Sequence, residues 1–161
     1  MFKTQLTKEQ ALQKARHFCA YQERCHQEVK EKLYDYGLKR IDVDEIMAEL
    51  VQENYLNEER FAIQFAGGKF RIKHWGRQKI KYELKLRQIS DYCIKKALQS
   101  IDEDDYELTF NELVEDKISK LKTEKNIFIK KRKLQDHLKL KGYEQDLISA
   151  ALKLLDNKKR Q

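Results

Sequence analysis

Residues 80–98, IKYELKLRQISDYCIKKAL, lie over residues 134–152, LQDHLKLKGYEQDLISAAL, without a gap. Ile80 falls on Leu134, Leu84 on Leu138, Leu86 on Leu140, Ile94 on Ile148 and Ala97 on Ala151. A third copy, VKEKLYDYGLKRIDVDEIMAEL at 29–50, joins the series with three extra residues before its last helix. Self-similarity at a period of about 50 residues makes each copy one supersecondary unit, which buries its apolar face by stacking on a neighbour.

The spacing inside each copy is helical. The 161 residues contain no proline and five glycines, and Leu, Lys, Glu, Gln and Ala dominate, so helices run with few breaks. Thr7 and Gln10 have capping-box spacing ahead of Ala11, Leu12, Ala15, Phe18 and Cys19. A second helix over 25–36 turns Val29 and Leu33 inward and stops at Gly37, which suits a left-handed cap. Asp42 starts a third, bearing Ile46, Leu50 and Val51. The plan recurs. Asn57 caps a helix with Phe61, Phe65, Ile72 and Trp75 on one stripe, Gly76 breaks it, and Ile80 and Leu84 mark the next. Ser90 caps a short helix with Ile94, Ala97, Leu98 and Ile101. A third round carries Leu113, Val114, Ile118 and Leu121, then Leu134 and Leu138 up to Gly142, then Ile148, Ala151, Leu152 and Leu155. The expected fold is all-α, an elongated, curved array of three tandem three-helix repeats at 1–56, 57–103 and 104–161. In the central repeat, Tyr82 and Leu86 lie opposite Ile80 and Leu84 on the helix, which predicts a helix covered on two sides with Lys81 and Lys85 reaching water between them.

Charge is distributed unevenly. Residues 69–90 hold eight basic side chains and one acid, Glu83, and so carry the +7 of the entire chain. Lys69, Lys73, Arg77, Lys81 and Lys85 recur every fourth residue, and Arg71, Lys79 and Arg87 thicken the patch. A solvated helix face mixes both signs, whereas here the acids are missing, which points to a polyanion such as nucleic acid. A second basic stretch, 117–141, centres on Lys130, Lys131, Arg132 and Lys133 and follows an acidic run over 102–116. This polarity partly suits the helix dipole, and the four cations form a candidate accessory contact.

Catalytic constellations are missing. His17, Cys19, Cys25 and His26 do not have the spacing of a zinc ribbon or finger, and the acids at 102–105 read as capping material. No glycine-rich phosphate loop, G-x-S-x-G turn or H-E-x-x-H motif occurs. The expectation is a protein without active site, metal or cofactor. Three cysteines and no apolar run of membrane length further suggest a cytoplasmic protein, and a monomer is expected.

YLNEERFAIQF followed by GRQKIKYELKLRQIS resembles the central signature of the RecX family. Leu56, Asn57, Glu58, Arg60, Phe61 and Ala62 meet its first half, and Gly76, Ile80, Glu83, Leu84, Arg87 and Ile89 its second. Glu28, Leu33, Gly37, Leu138, Gly142 and Tyr143 extend the likeness over nearly the whole chain. The family pattern has proline where this chain has Arg77, glycine where it has Gln88, and commonly Ser where it has Cys25. The resemblance implies a bacterial regulator that binds filaments of the RecA recombinase on single-stranded DNA along their groove. Such a protein lowers ATP hydrolysis and strand exchange, and so modulates recombination and DNA repair, without enzymatic chemistry. It would place Lys69, Arg71, Lys73, Arg77, Lys79, Lys81, Lys85 and Arg87 against filament and phosphates, on single strands and on duplex. Two alternatives stand beside it: a sequence-tolerant helical DNA-binding protein acting without RecA, and a scaffold whose basic face meets an acidic protein.

Overall fold

The computed structural model describes residues 5–160. Among them, nine helices and no strand occur: α1 (Lys8–Tyr21), α2 (His26–Asp35), α3 (Arg40–Gln52), α4 (Glu58–Lys73), α5 (Arg77–Leu86), α6 (Asp91–Gln99), α7 (Glu103–Lys120), α8 (Ile127–Lys141) and α9 (Gln145–Arg160). Packing follows sequence order, with α4 on α6, α2 on α3 and α8 on α9 as the main pairs. No helix of the described residues is long and apolar enough to cross a membrane.

Helix ends are set by side chains read from the sequence. Thr7 and Gln10 form a reciprocal capping box, and Asn57, Ser90 and Asp102 each accept a backbone N–H at the start of α4, α6 and α7. These caps satisfy donors that a helix start leaves orphaned. The middle helix of every repeat ends in a left-handed residue at the same place: Gly37 at φ 87, Gln88 at φ 61 and Gly142 at φ 95. After α5 and α8 the Schellman pattern is complete, with Gln88 N–H to Lys85 O at 2.9 Å, Ile89 N–H to Leu84 O at 3.1 Å, Gly142 N–H to Lys139 O at 3.0 Å and Tyr143 N–H to Leu138 O at 3.2 Å. Gln88 thus holds a glycine conformation with a side chain attached. Replacing it, Gln88→Gly, is expected to stabilise the protein by about 1 kcal/mol, read as a rise in the denaturant midpoint at unchanged slope.

The buried faces repeat as well. Val29 and Leu33 of α2, Ile80 and Leu84 of α5, and Leu134 and Leu138 of α8 are all fully buried. Each contributes roughly 1.5–3 kcal/mol relative to exposure. The first repeat has its own cluster around Leu12, Val43, Ile46 and Leu50. The buried residues of α4 to α9 form one continuous cluster, which also takes in Cys25 from the first repeat.

Four expectations are corrected. α3 starts at Arg40, capped by Lys39, because Gly37 and the buried Leu38 end the turn early; Asp42 sits in the first turn. Val51 is exposed, since the buried stripe runs Val43, Ile46, Leu50 and the next residue rotates off it. On α4 the buried stripe is Phe61, Ala62, Ala66 and Phe70, which leaves Ile72 79% exposed. Tyr82 and Leu86 are 61% and 54% exposed, so α5 is covered on one flank only. The neighbouring repeat meets the start of α5 rather than its side.

That meeting is a backbone joint. Gly76 N–H donates to Lys141 O and Gln78 N–H to Gly142 O, each at 2.8 Å. Tyr143 OH donates to His74 O at 2.8 Å. A methyl group on Gly76 would stand 2.6 Å from Tyr143 N, and one on Gly142 would stand 2.6 Å from Lys79 N. The glycine expected merely to break a helix is where two repeats touch main chain to main chain.

Candidate nucleic-acid interface

The cations of 69–90 do not form a single ridge. α4 ends at Lys73 with His74 left-handed at φ 58, and α5 begins afresh at Arg77. On α5, at 100° per residue, Lys79 lies about 200–240° around from Lys81 and Lys85. Two basic faces result, with the exposed Tyr82 and Leu86 between them.

Two of the eight cations are neutralised inside the chain. Arg77 Nη2 reaches Glu103 Oε1 at 2.6 Å and its Nη1 reaches Glu144 Oε2 at 3.2 Å. Its guanidinium carbon stands 3.9 Å from the Tyr106 ring centre, whose hydroxyl donates to Glu144 and accepts the Arg77 N–H at 3.0 Å. Arg77 therefore ties the second repeat to the third. Arg87 pairs with Glu83 one turn earlier at 3.0 Å and lies 4.6 Å over the Phe65 ring. Of the accessory group, Lys131 bridges to Asp156 at 2.5 Å, Lys133 faces Glu124 at 3.9 Å, and Lys130 and Arg132 have no carboxylate within ion-pair distance among the described residues.

The remaining cations are uncompensated. Lys81 and Lys85 are exposed and line a groove of about 470 Å³ with Arg77, Lys95, Asp91 and Glu103, where both signs of charge are present. Arg71 is exposed, its guanidinium drawn back along α4 towards Gly67. Lys69, Lys73 and Lys79 gather round Trp75, with ammonium nitrogens 5.1, 5.6 and 4.6 Å from its ring. Trp75 is half-buried against the core and stacks edge-on to Phe65 at 6.4 Å. Cation–π attraction holds the three ammonium groups, but no carboxylate of the described residues lies within ion-pair distance of them. Burial first, then Lys73 and Arg87, pushes the Lys69 pKa below that of a free lysine. Glu83 opposes the shift without reversing it.

Among the described residues no group of three or more His, Cys, Asp or Glu could hold a metal. Cys19 and Cys25 are buried, and burial pushes both thiols up to about 11, which leaves them in the inert thiol form at neutral pH.

The family model described as "RecX, second three-helix domain" matches residues 57–98, which are the α4–α6 unit carrying both basic faces. Over 131 residues the chain is 30% identical to Regulatory protein RecX of Clostridium perfringens strain SM101, covering 81% of this chain and 61% of that protein. Over 149 residues it is 31% identical to the protein of the same name from Bacillus licheniformis, covering 89% of this chain and 54% of that one. The chain is similar to RecX proteins over most of its length, and its central unit matches a RecX domain. It spans 61% and 54% of these two curated relatives, less than two thirds of either. The crystal structure of RecX from Lactobacillus salivarius shares the fold with a TM-score of 0.81 at 21% identity, covering 92% of this chain and 96% of that chain. The helical-repeat architecture is therefore that of a RecX protein.

The RecX signature itself is structural in this chain. Asn57 caps α4, and Glu58 accepts Ser90 N–H at 2.6 Å, fastening α4 to the start of α6. Arg60 binds Glu23 and the carbonyls of Asn54 and Tyr55 at 3.0 and 3.4 Å, joining the first repeat to the second. Cys25 takes the cap position of the family's serine, with its Sγ 3.3 Å from Glu28 Oε1. The free lysines lie largely outside the signature, where only charge pattern could find them.

Proposed function

We propose that this chain is a non-catalytic regulator that binds RecA–single-stranded DNA filaments and lowers their ATP hydrolysis and strand exchange. The observation supporting it is the set of lysines in the second repeat that have no carboxylate of the described residues within ion-pair distance. A groove of a filament on single-stranded DNA would bring a phosphate backbone to these cations. In a curved array the repeats at 1–56, 57–103 and 104–161 would follow that groove across neighbouring protomers, the protein acting as a monomer in the cytoplasm. Lys69, Arg71, Lys73, Lys79, Lys81 and Lys85 make the electrostatic contacts, while Arg77 and Arg87 keep the second repeat in shape.

RecA ATPase on single-stranded DNA tests this. Wild type is expected to inhibit, and Lys81→Glu with Lys85→Glu is expected to raise the concentration needed by about tenfold or more, since each reversal acts across several ångströms of low-screening groove. Both side chains are exposed and unpaired, so helicity stays unchanged. A wild type that never inhibits refutes the reading. Tight binding to DNA with no effect on RecA would favour the sequence-tolerant DNA-binding alternative.

A further inference from the structure

Lys141 closes α8, far from the basic segment in sequence, yet its Nζ bonds to Lys73 O at 3.2 Å. Lys79 Nζ reaches across in the other direction to Leu140 O at 3.5 Å. The lysine group around Trp75 therefore continues over the joint onto the third repeat. One turn back from Lys141 on α8 is His137, half-buried. Burial first, and then Lys117, Lys141 and Lys120, pushes its pKa down, with Asp116 opposing. Lys120 is paired with Asp116 at 3.1 Å. Lys69, Lys73, Lys79, Lys141 and Lys117 have no carboxylate of the described residues within ion-pair distance. The partners of Lys69, Lys73, Lys79 and Lys141 are ring faces and carbonyl oxygens, which position an ammonium group without cancelling its charge.

We infer that Lys69, Lys73, Lys79 and Lys141 form one phosphate track that crosses the joint between the second and third repeats and holds a nucleic-acid backbone beside Trp75. The track is distinct from the Lys81 and Lys85 groove, where Asp91 and Glu103 mix the charge and suit a protein surface. It also replaces Lys130 to Lys133 as the third repeat's contribution, since Lys131 there is paired and Lys133 faces an acid. Ammonium groups held without a carboxylate at the end of α4, the start of α5 and the end of α8 suit the phosphates of a nucleic-acid backbone, which pair with cations and carry no base-specific demand. The inference rests on the polyanion reading of the basic segment and not on RecA.

The chain has one tryptophan, so the site carries its own reporter. A 30-nucleotide oligothymidylate is titrated without RecA, following Trp75 emission and the anisotropy of a label on the DNA, over a series of salt concentrations. Wild type should bind with a change in Trp75 emission. Lys69→Gln with Lys73→Gln should make the slope of log affinity against log salt shallower by about 1.4, or 0.7 for each phosphate no longer neutralised on a single strand. Lys81→Gln with Lys85→Gln should leave that slope unchanged. Lys141→Arg, which keeps the charge, should bind like wild type, and Lys141→Gln should flatten the slope by about 0.7. Thermal melting of each variant distinguishes a weakened DNA site from a weakened fold. Binding with no Trp75 response, a slope that follows Lys81 and Lys85 instead, or equal competition by polyglutamate would each overturn the inference. RecA inhibition can fail while this assay succeeds, and the reverse, so the two proposals stand or fall separately.

Discussion

Gly142→Ala is expected to destabilise the protein by about 3 kcal/mol, the largest effect of any single added methyl group in the chain. Two effects add. Gly142 has φ 95, a region where an L side chain costs about 1–2 kcal/mol. The new Cβ would also press on Lys79, whose backbone nitrogen would be 2.6 Å away, and backbone cannot swing aside as a side-chain tip can. Overpacking of this kind costs about 1–3 kcal/mol. Gly76→Ala isolates the second effect: φ at Gly76 is −79, which alanine tolerates, but its Cβ would meet the Gly142 carbonyl and Tyr143 N from the opposite side. About 2 kcal/mol is expected there. Gly68→Ala is the control, because nothing lies within 4 Å of its added Cβ inside α4, and removing a mid-helix glycine should stabilise by about 0.5–1 kcal/mol. For a chain of this length the Gly142→Ala destabilisation corresponds to a fall in Tm of about 6–12 °C. Hydrogen exchange should localise the damage at the Gly76 and Gln78 amides, whose acceptors on Lys141 and Gly142 are displaced. A Gly142→Ala protein as stable as wild type would mean that the two repeats do not meet through their main chains.

Those same two glycines show how far the sequence could be read. Gly142 and Gly37 announce themselves locally, since each follows a helical stripe and the left-handed cap is a property of the turn. Gly76 also marks the end of α4, but its contact with Gly142 depends on how repeats stack, which no local pattern encodes. The same holds for charge. The excess of cations over 69–90 is visible by counting, whereas their sorting depends on remote carboxylates: Glu103 and Glu144 claim Arg77, and no carboxylate of the described residues lies within ion-pair distance of Lys73 or Lys79. Trp75 misled for a related reason. Period 3.6 places it on a stripe with Phe61, Phe65 and Ile72 only if the helix continues, and α4 ends at Lys73. Its ring packs half-buried from a loop, where its exposed part collects ammonium groups. Lys141 was visible only as one base of the stretch 117–141, since its place beside Lys73 arises from the fold bringing the end of α8 to the end of α4.

Arg77→Ala is the second large effect, about 2–3 kcal/mol. The guanidinium side chain is 20% exposed and Glu144 24% exposed, while Glu103 is open to water. Most of the stabilisation therefore comes from Glu144, a charged partner in a semi-buried site, where a hydrogen bond of this kind is worth about 1.5–3 kcal/mol. Solvent screening leaves the bond to Glu103 worth much less. Removing the cation also strips the Tyr106 ring of its cover and leaves Glu144 held by a tyrosine hydroxyl alone. Arg77→Pro asks what the family's proline would do in this chain. The first position of a helix accepts proline readily, and a fixed φ would recover about 0.4–1 kcal/mol. Here, however, the Arg77 N–H donates to Tyr106 OH at 3.0 Å, and proline has no N–H to give. Arg77→Pro should thus be no more stable than Arg77→Ala in the natural background. With Tyr106→Phe already in place that bond is gone, so the proline variant should become the more stable of the two. Denaturant melts of the four combinations measure this inversion. If proline is the better residue in both backgrounds, the bond from the residue 77 N–H to the tyrosine contributes less to the joint than the fixed φ of proline.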